Sequence, residues 1–230
     1  MSAFLQNLLH AILPSTCACC GEVLMAGEKQ LCLNCMASLS PTLYSGHDDN
    51  RTERLLTGRA RFQQATSVFI FRKGNTVQQL IHAMKFHGNS DLCVLMGRQM
   101  GMELLRSGRF DDVDLLVPVP LHWRRRLQRG YNQSELLCRG IGQVMGRPVN
   151  SRALVRHRYT HQQSLQDSTS REKNVEGAFR VRRPDDLRGK HILLIDDVLT
   201  TGATLGSCCD VLEKVNGLKI SIATLSIAGN

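Results

Sequence analysis

The stretch from His191 to Leu205 constrains this chain more than any other. Ile192, Leu193, Leu194 and Ile195 form an unbroken apolar run, which suits a strand buried on both faces of a parallel sheet. Asp196 and Asp197 then end the run. Thr200, Thr201, Gly202, Ala203 and Thr204 follow, small and rich in hydroxyls. After them Leu205, Cys208, Cys209, Leu212 and Val215 recur at helical spacing up to Asn216 and Gly217. The order predicts a strand, a tight loop and a helix start.

Such an order has a chemical consequence. The first N–H groups of a helix are unpaired, and its dipole favours an anion there. Gly202 lets a phosphate approach the backbone, and the threonine hydroxyls add donors. Asp196 and Asp197 fall at the carboxyl end of the strand, where open α/β sheets bind ligands. There they can accept hydrogen bonds from sugar hydroxyls beside a phosphate-bound Mg²⁺. A plain strand-to-helix turn, with Asp and Thr as mere caps, is the alternative; the full set of acids, hydroxyls and glycine weighs against it. Residues Ile195 to Thr204 resemble the phosphoribosyl diphosphate (PRPP) motif of type I phosphoribosyltransferases. The resemblance implies that Asp196 and Asp197 hold the ribose at the catalytic centre. It also implies that Thr200, Thr201, Gly202, Ala203 and Thr204 cradle the 5′-phosphate, with Mg²⁺ accompanying PRPP.

A chain of 230 residues, 42% apolar, can bury one sizeable core and carry a small second module. A net charge of +9 points to an anionic partner, nucleic acid or a phosphorylated metabolite. Nine cysteines, an odd number in clustered pairs, argue against a secreted disulfide framework and for a reducing, cytoplasmic setting. The amino end presents Phe4, Leu5, Leu8, Leu9 and Ile12 on one face. It lacks the marks of a signal peptide and is too short to span a bilayer, so a short helix docked on the body is expected, with no transmembrane segment.

Cys17, Cys20, Cys32 and Cys35 read C-x₂-C, eleven residues, C-x₂-C. Four thiolates on two turns suit a closed, structural zinc site; free thiol clusters are the alternative. Cys19 is left over. The expected division is a helix and zinc-ribbon module over 1–45, a polar linker over 46–65 and an α/β, parallel-sheet domain over 66–230. Thr66–Phe71 reads as a strand. Val77, Leu80, Ile81 and Met84 mark a helix ending near Lys85. His82, Lys85 and His87 there suit a solvated helix end, with a site lining as the alternative. Ser90 and Asp91 cap a further helix running to about Leu105.

Asp114–Pro120 is a strand ending in prolines, and a basic arm follows. Nine arginines and one acid, Glu135, lie between His122 and Arg158. Arg124, Arg125, Arg126 and Arg129 suit diphosphate or nucleic-acid phosphates, because guanidinium forks grip phosphate bidentately. Trp123 and Tyr131 flank them as base-stacking platforms would; a solvated basic face over packed aromatics is the alternative. Asn132 or Ser134 caps the next helix. The polar stretch from Arg158 to Phe179 is a surface loop. Its place matches the mobile loop that closes over PRPP in type I phosphoribosyltransferases.

The cysteine module, Val117–Pro120, Arg129–Gln133, Gln162 with Leu165, Arg171 with Asn174, and Asp196–Thr204 together resemble the ComF (competence protein F) family along nearly the whole chain. The resemblance implies a zinc ribbon joined to a phosphoribosyltransferase-like domain, and a flexible loop carrying Arg158, Gln162, Arg171 and Asn174. It also implies a role in natural transformation, with proteins of the DNA-uptake machinery as partners. Two functions compete. One is a site that binds PRPP and single-stranded DNA without turnover; the other is an active PRPP-dependent transferase. Extra Cys19 is the one departure from the family pattern.

Overall fold

The computed structural model describes residues 15–86, 88–157 and 177–229. The expected amino-terminal helix, His87 and the loop positions Arg158, Gln162, Arg171 and Asn174 lie outside the described residues.

Strands β1 (Ala65–Phe71), β2 (Leu115–Pro118), β5 (His191–Leu199) and β6 (Lys219–Ala228) make a wholly parallel sheet in the order β1-β6-β5-β2. Strands β3 (Leu154–Arg156) and β4 (Phe179–Val181) pair antiparallel beside it. Between β2 and β6, strand β5 is covered on both faces. Leu193 and Ile195 enter one core with Met84, Met96 and Leu137, whereas Ile192 and Leu194 enter the other with Leu205, Cys208 and Leu212. The period-two alternation of a strand therefore sorts one apolar run into two cores.

Strand β5 does not stop at the aspartates. Asp196, Val198 and Leu199 stay in register with Thr224, Ser226 and Ile227 of β6. The backbone ladder of the long neighbour holds these residues whatever their side chains.

Helices α1 (Leu33–Ala37), α2 (Arg51–Leu56), α3 (Thr76–Phe86), α4 (Ser90–Ser107), α5 (Trp123–Arg129), α6 (Gln133–Met145) and α7 (Ala203–Leu212) complete the described chain. Asn132 caps α6 by accepting the Ser134 N–H at 3.2 Å, as expected for one of the two candidates. The cap of α4 is Asn89, one residue before the expected Ser90, accepting from Leu92 N–H at 3.1 Å. Helix α5 has no buried residue and so offers the sequence no apolar period. Its cap is His122, whose Nδ1 accepts the Arg124 N–H at 3.3 Å.

Helices α4 and α6 cross at glycines. A Cβ on Gly140 would overlap the carbonyl oxygen of Val94, and one on Gly97 would overlap that of Leu137. Only bare backbones can approach so closely.

The stretch expected as a linker, 46–65, is instead packed structure around α2. Asn50 caps the helix, accepting from Thr52 N–H at 2.9 Å and Glu53 N–H at 3.2 Å. Leu56 is wholly buried. Glu53 pairs with Arg109 at 2.9 Å and accepts the Ala65 N–H at 3.0 Å, tying α2 to the head of β1. Six residues held by polar contacts carry too little periodicity to be read from sequence.

The cysteine module is likewise no separate body. Cys17, Leu31, Cys32, Cys35 and Leu39 share the core that holds Leu80, Met84 and Leu92. Beyond them Thr42 N–H donates to Val68 O and Ile70 N–H to Ser40 O, both at 2.9 Å, so the end of the module lines the outer edge of β1.

The helix crossing yields a stability test. Gly140→Ala is expected to cost about 1–3 kcal/mol in urea unfolding, the usual penalty of overpacking. Gly46→Ala, with nothing within 4 Å of the new methyl group, is expected to be near neutral.

Candidate functional site

A crevice of about 320 Å³ opens where β2 and β5 end, flanked by α3, α5 and α6. Asp196 and Asp197 stand at its base. Asp196 Oδ1 accepts from Ser134 Oγ at 3.1 Å and from Asp197 N–H at 2.9 Å. Asp197 Oδ2 meets Lys85 Nζ at 2.9 Å, with side chains only 16% and 22% exposed. Burial, then the neighbouring Asp197 charge, pushes Asp196 up to about 7. Burial would raise Asp197 too, but the Lys85 charge and hydrogen bond, with Arg129 beyond, hold it below the ordinary carboxylate value. Adjacent acids thus titrate apart.

Beside them, Val198 to Leu205 enclose a small recess of about 30 Å³ at the start of α7. Asp196, Val198, Thr200 and Thr204 line both the recess and the crevice. Gly202 caps α7 with φ of 82°. A side chain there would meet Leu56 at 3.1 Å and Leu55 and Arg59 at 3.4 Å. Glycine is therefore demanded by a left-handed turn backed by α2, a different reason from the phosphate clearance expected of it.

The basic arm divides. Arg125 and Arg129 are half-buried and line the crevice. Arg126 faces Glu135 at 3.4 Å, and the Arg124 guanidinium lies 5.3 Å from the centre of the Trp123 ring. Trp123 is exposed. Tyr131 is not: its hydroxyl donates to Met84 O at 2.9 Å and its ring packs against the core. The stacking role expected of Tyr131 does not suit that placement.

Arg156 and Ser134 were not expected in the crevice, and Lys85 takes the site-lining place that was the alternative reading for its helix end. The solvated helix end was the favoured reading of Lys85; its partner Asp197 lies 112 positions away in sequence, so no local pattern could join them. Arg156 closes β3 and lines the crevice with its guanidinium 5.3 Å from the Phe179 ring centre. Ser134 carried only a capping signal.

Apart from the crevice, the Sγ atoms of Cys17, Cys20, Cys32 and Cys35 all lie within 4.8 Å of one another. A metal about 2.3 Å from each sulfur sets tetrahedral sulfur spacings of about 3.8 Å; Cys20 and Cys32 stand 3.7 Å apart. Cys32 N–H points at Cys17 Sγ and Cys35 N–H at Cys32 Sγ, both at 3.4 Å. Burial opposes ionisation of Cys17, but the backbone N–H groups of Cys20, Cys32 and Cys19 bring it down to about 6. The set fits a closed four-sulfur metal site. Cys19 stays outside it, a thiol that burial pushes up to about 12. All nine cysteines are free of disulfides. Among the described residues no helix is long and apolar enough to cross a membrane.

The parallel sheet, the paired acids and the hydroxyl loop at a helix start define a type I phosphoribosyltransferase domain, and residues 146–229 match the family model for the phosphoribosyl transferase domain. The chain is 30% identical to DNA utilization protein YhgH of Salmonella typhi over 91% of its own length and 95% of the relative's. It is 24% identical to Competence protein F of Haemophilus influenzae over 92% and 96%. With Competence protein ComFC of Bacillus subtilis it shares 36% identity over 71% of this chain and 64% of that one. The match to the Escherichia coli YhgH spans 63% of that protein. The chain belongs to the ComF family, a four-cysteine cluster near the amino end joined to a phosphoribosyltransferase domain.

Two tests follow from the site. Cys20→Ser is expected to remove stoichiometric metal and lower the melting temperature, while Cys19→Ser does neither; metal analysis beside thermal melts checks both. For Asp196, a folded value raised from 3.8 to about 7 stabilises the fold below pH 3.8, and that stability is lost as pH rises to about 7. Asp196→Asn is therefore expected to gain on the parent over that window, by about 1–2 kcal/mol in pH-dependent urea unfolding.

Proposed function

We propose that this chain handles incoming DNA, with a crevice that binds PRPP together with Mg²⁺ and a surface that binds single-stranded DNA. One observation carries the reading: the paired acids, the hydroxyl loop and the cations Lys85, Arg125, Arg129 and Arg156 all converge on one crevice. The recess at the start of α7 takes the 5′-phosphate, with N–H groups and threonine hydroxyls as donors. Asp196 and Asp197 accept from the ribose hydroxyls, and the cations take the diphosphate. The carboxylates at the crevice base suit a Mg²⁺ that shares its coordination with ligand oxygens, where it would neutralise diphosphate charge.

The exposed pair of Trp123 and Arg124 on α5 supports the DNA surface, since one offers a ring face and the other a phosphate fork. The relatives' names, competence and DNA utilization, support placing the chain in DNA uptake beside other proteins of that machinery. In the four-cysteine site we place zinc, as the ion whose closed Cys₄ geometry is structural. Nine cysteines without a disulfide support a reducing, cytoplasmic setting.

A transferase is the second reading, and the Asp196 carboxyl favours it. Held at about 7, that group can accept a proton from an acceptor at neutral pH.

Calorimetry with PRPP and Mg²⁺ tests the crevice; an unaltered chain that fails to bind PRPP overturns the reading. Salt titration tests the surface. Arg124→Ala is expected to flatten the log–log slope of single-strand binding by about 0.7 and leave PRPP binding alone. Trp123→Ala is expected to cost about 1–3 kcal/mol with the slope unchanged. Arg125→Ala should damage PRPP binding first. Equal slopes and affinities for the parent, Arg124→Ala and Trp123→Ala would remove the DNA role from this arm. Release of pyrophosphate from PRPP in the presence of a nucleophile would establish turnover.

A further inference from the structure

Lys85 stands where a site for a metal–diphosphate complex would be expected to leave room. Its Nζ is 2.9 Å from Asp197 Oδ2, and both side chains are largely buried. The position is fixed from behind. Tyr131 Oη and Gln133 Nε2 donate to the Met84 carbonyl at 2.9 and 3.1 Å, which pins the last turn of α3. Asp196 is engaged elsewhere, by Ser134 Oγ and the Asp197 N–H. A divalent cation bound at the Asp197 carboxylate would sit about 2.1 Å from its oxygen. That oxygen cannot then keep an ammonium at hydrogen-bond distance as well, because two cations would share one acceptor at close range.

We propose that Lys85 is an exchangeable counter-ion: it holds Asp197 in the free protein, yields it to the divalent cation, and moves onto the diphosphate that arrives with the metal. The inference rests on the crevice being a PRPP site. Chemistry favours the exchange. A flexible four-carbon stem carrying three rotatable donors can change partner without backbone movement. Arg125, Arg129 and Arg156 already line the same crevice, so a polyanionic diphosphate would be met from several sides. Metal alone gains Asp197 only by stranding a largely buried ammonium, whereas metal with diphosphate gives the ammonium a new partner. The site should therefore discriminate against the bare cation, and the discrimination should disappear with the lysine.

The test compares the full-length parent with Lys85→Ala and Lys85→Gln at about pH 8, where Asp196 is ionised. Mn²⁺ binding is read by electron paramagnetic resonance, and binding of Mg²⁺–diphosphate by calorimetry. Removing the lysine is expected to tighten bare Mn²⁺ binding roughly tenfold, the equivalent of one charge-assisted contact. The ratio of metal–diphosphate affinity to bare-metal affinity should shrink at least as much. A lysine that merely neutralised Asp197 would let both affinities rise together and leave the ratio unchanged, which overturns the proposal. Unchanged Mn²⁺ binding overturns it as well. The two failures remain distinguishable: a parent that binds no metal–diphosphate loses the crevice reading itself, whereas a parent that binds it beside unaltered variants loses only the exchange. Lys85→Gln keeps a polar side chain of similar length, so the comparison survives if the alanine variant is poorly folded.

Discussion

Two adjacent carboxylates towards the carboxyl end of a strand covered on both faces are costly to bury, and much of this molecule is arranged around them. Neither would be tolerated there unpaired. Each is met differently: Asp197 by an ammonium from α3, Asp196 by a hydroxyl from α6 and a backbone N–H. Those partners come from separate elements, so the fold must close correctly before the acids are satisfied. The compensation is also unequal, and the inequality holds one carboxyl near neutrality while the other stays ionised. Chemistry at this strand end is a by-product of how its burial is offset.

The bracing continues behind the loop. Leu55, Leu56 and Arg59 back Gly202, and Arg59 O closes on Gly206 in the first turns of α7. Through Glu53 and Arg109 the same segment is tied to the head of β1. At the far end of β5, His191 Nε2 meets Ser221 Oγ at 2.8 Å, while Asp112 Oδ2 lies 3.0 Å from Nδ1. The order of groups matches a hydrolytic triad, but Ser221 is wholly buried and no substrate can reach it. There the His191–Ser221 pair fastens β5 to β6.

Legibility in the sequence followed the range of the interactions. Strand β5, the loop after it and the helices α3, α4 and α6 announce themselves through apolar period and local turn chemistry. The four cysteines were legible because metal-ligand spacing is a local pattern. Helix α5 and helix α2 escaped, the first because it buries nothing and the second because its anchors are an ion pair and a cap. The site was half legible. Asp196, Asp197 and the threonines stand in one motif, while Lys85 and Arg156 reach the crevice only through tertiary packing. Conversely, Tyr131 looked like a partner of Trp123 by sequence proximity, yet the chain packs its half-buried ring against the core. Adjacency along an arm says nothing about which side chains share a face once the arm becomes a helix followed by a glycine turn.

The short bridge between Ser40–Thr42 and β1 has a consequence for how this protein would fail. Strand β1 is the outermost of its parallel sheet, and the end of the cysteine module occupies part of its free side. Unpaired strand edges are templates for other chains. A cysteine module that lost its shape would release Ser40–Thr42 and bare Val68 and Ile70 to a neighbouring molecule. Damage that begins at four thiols near the amino end would then emerge as self-association through a β edge.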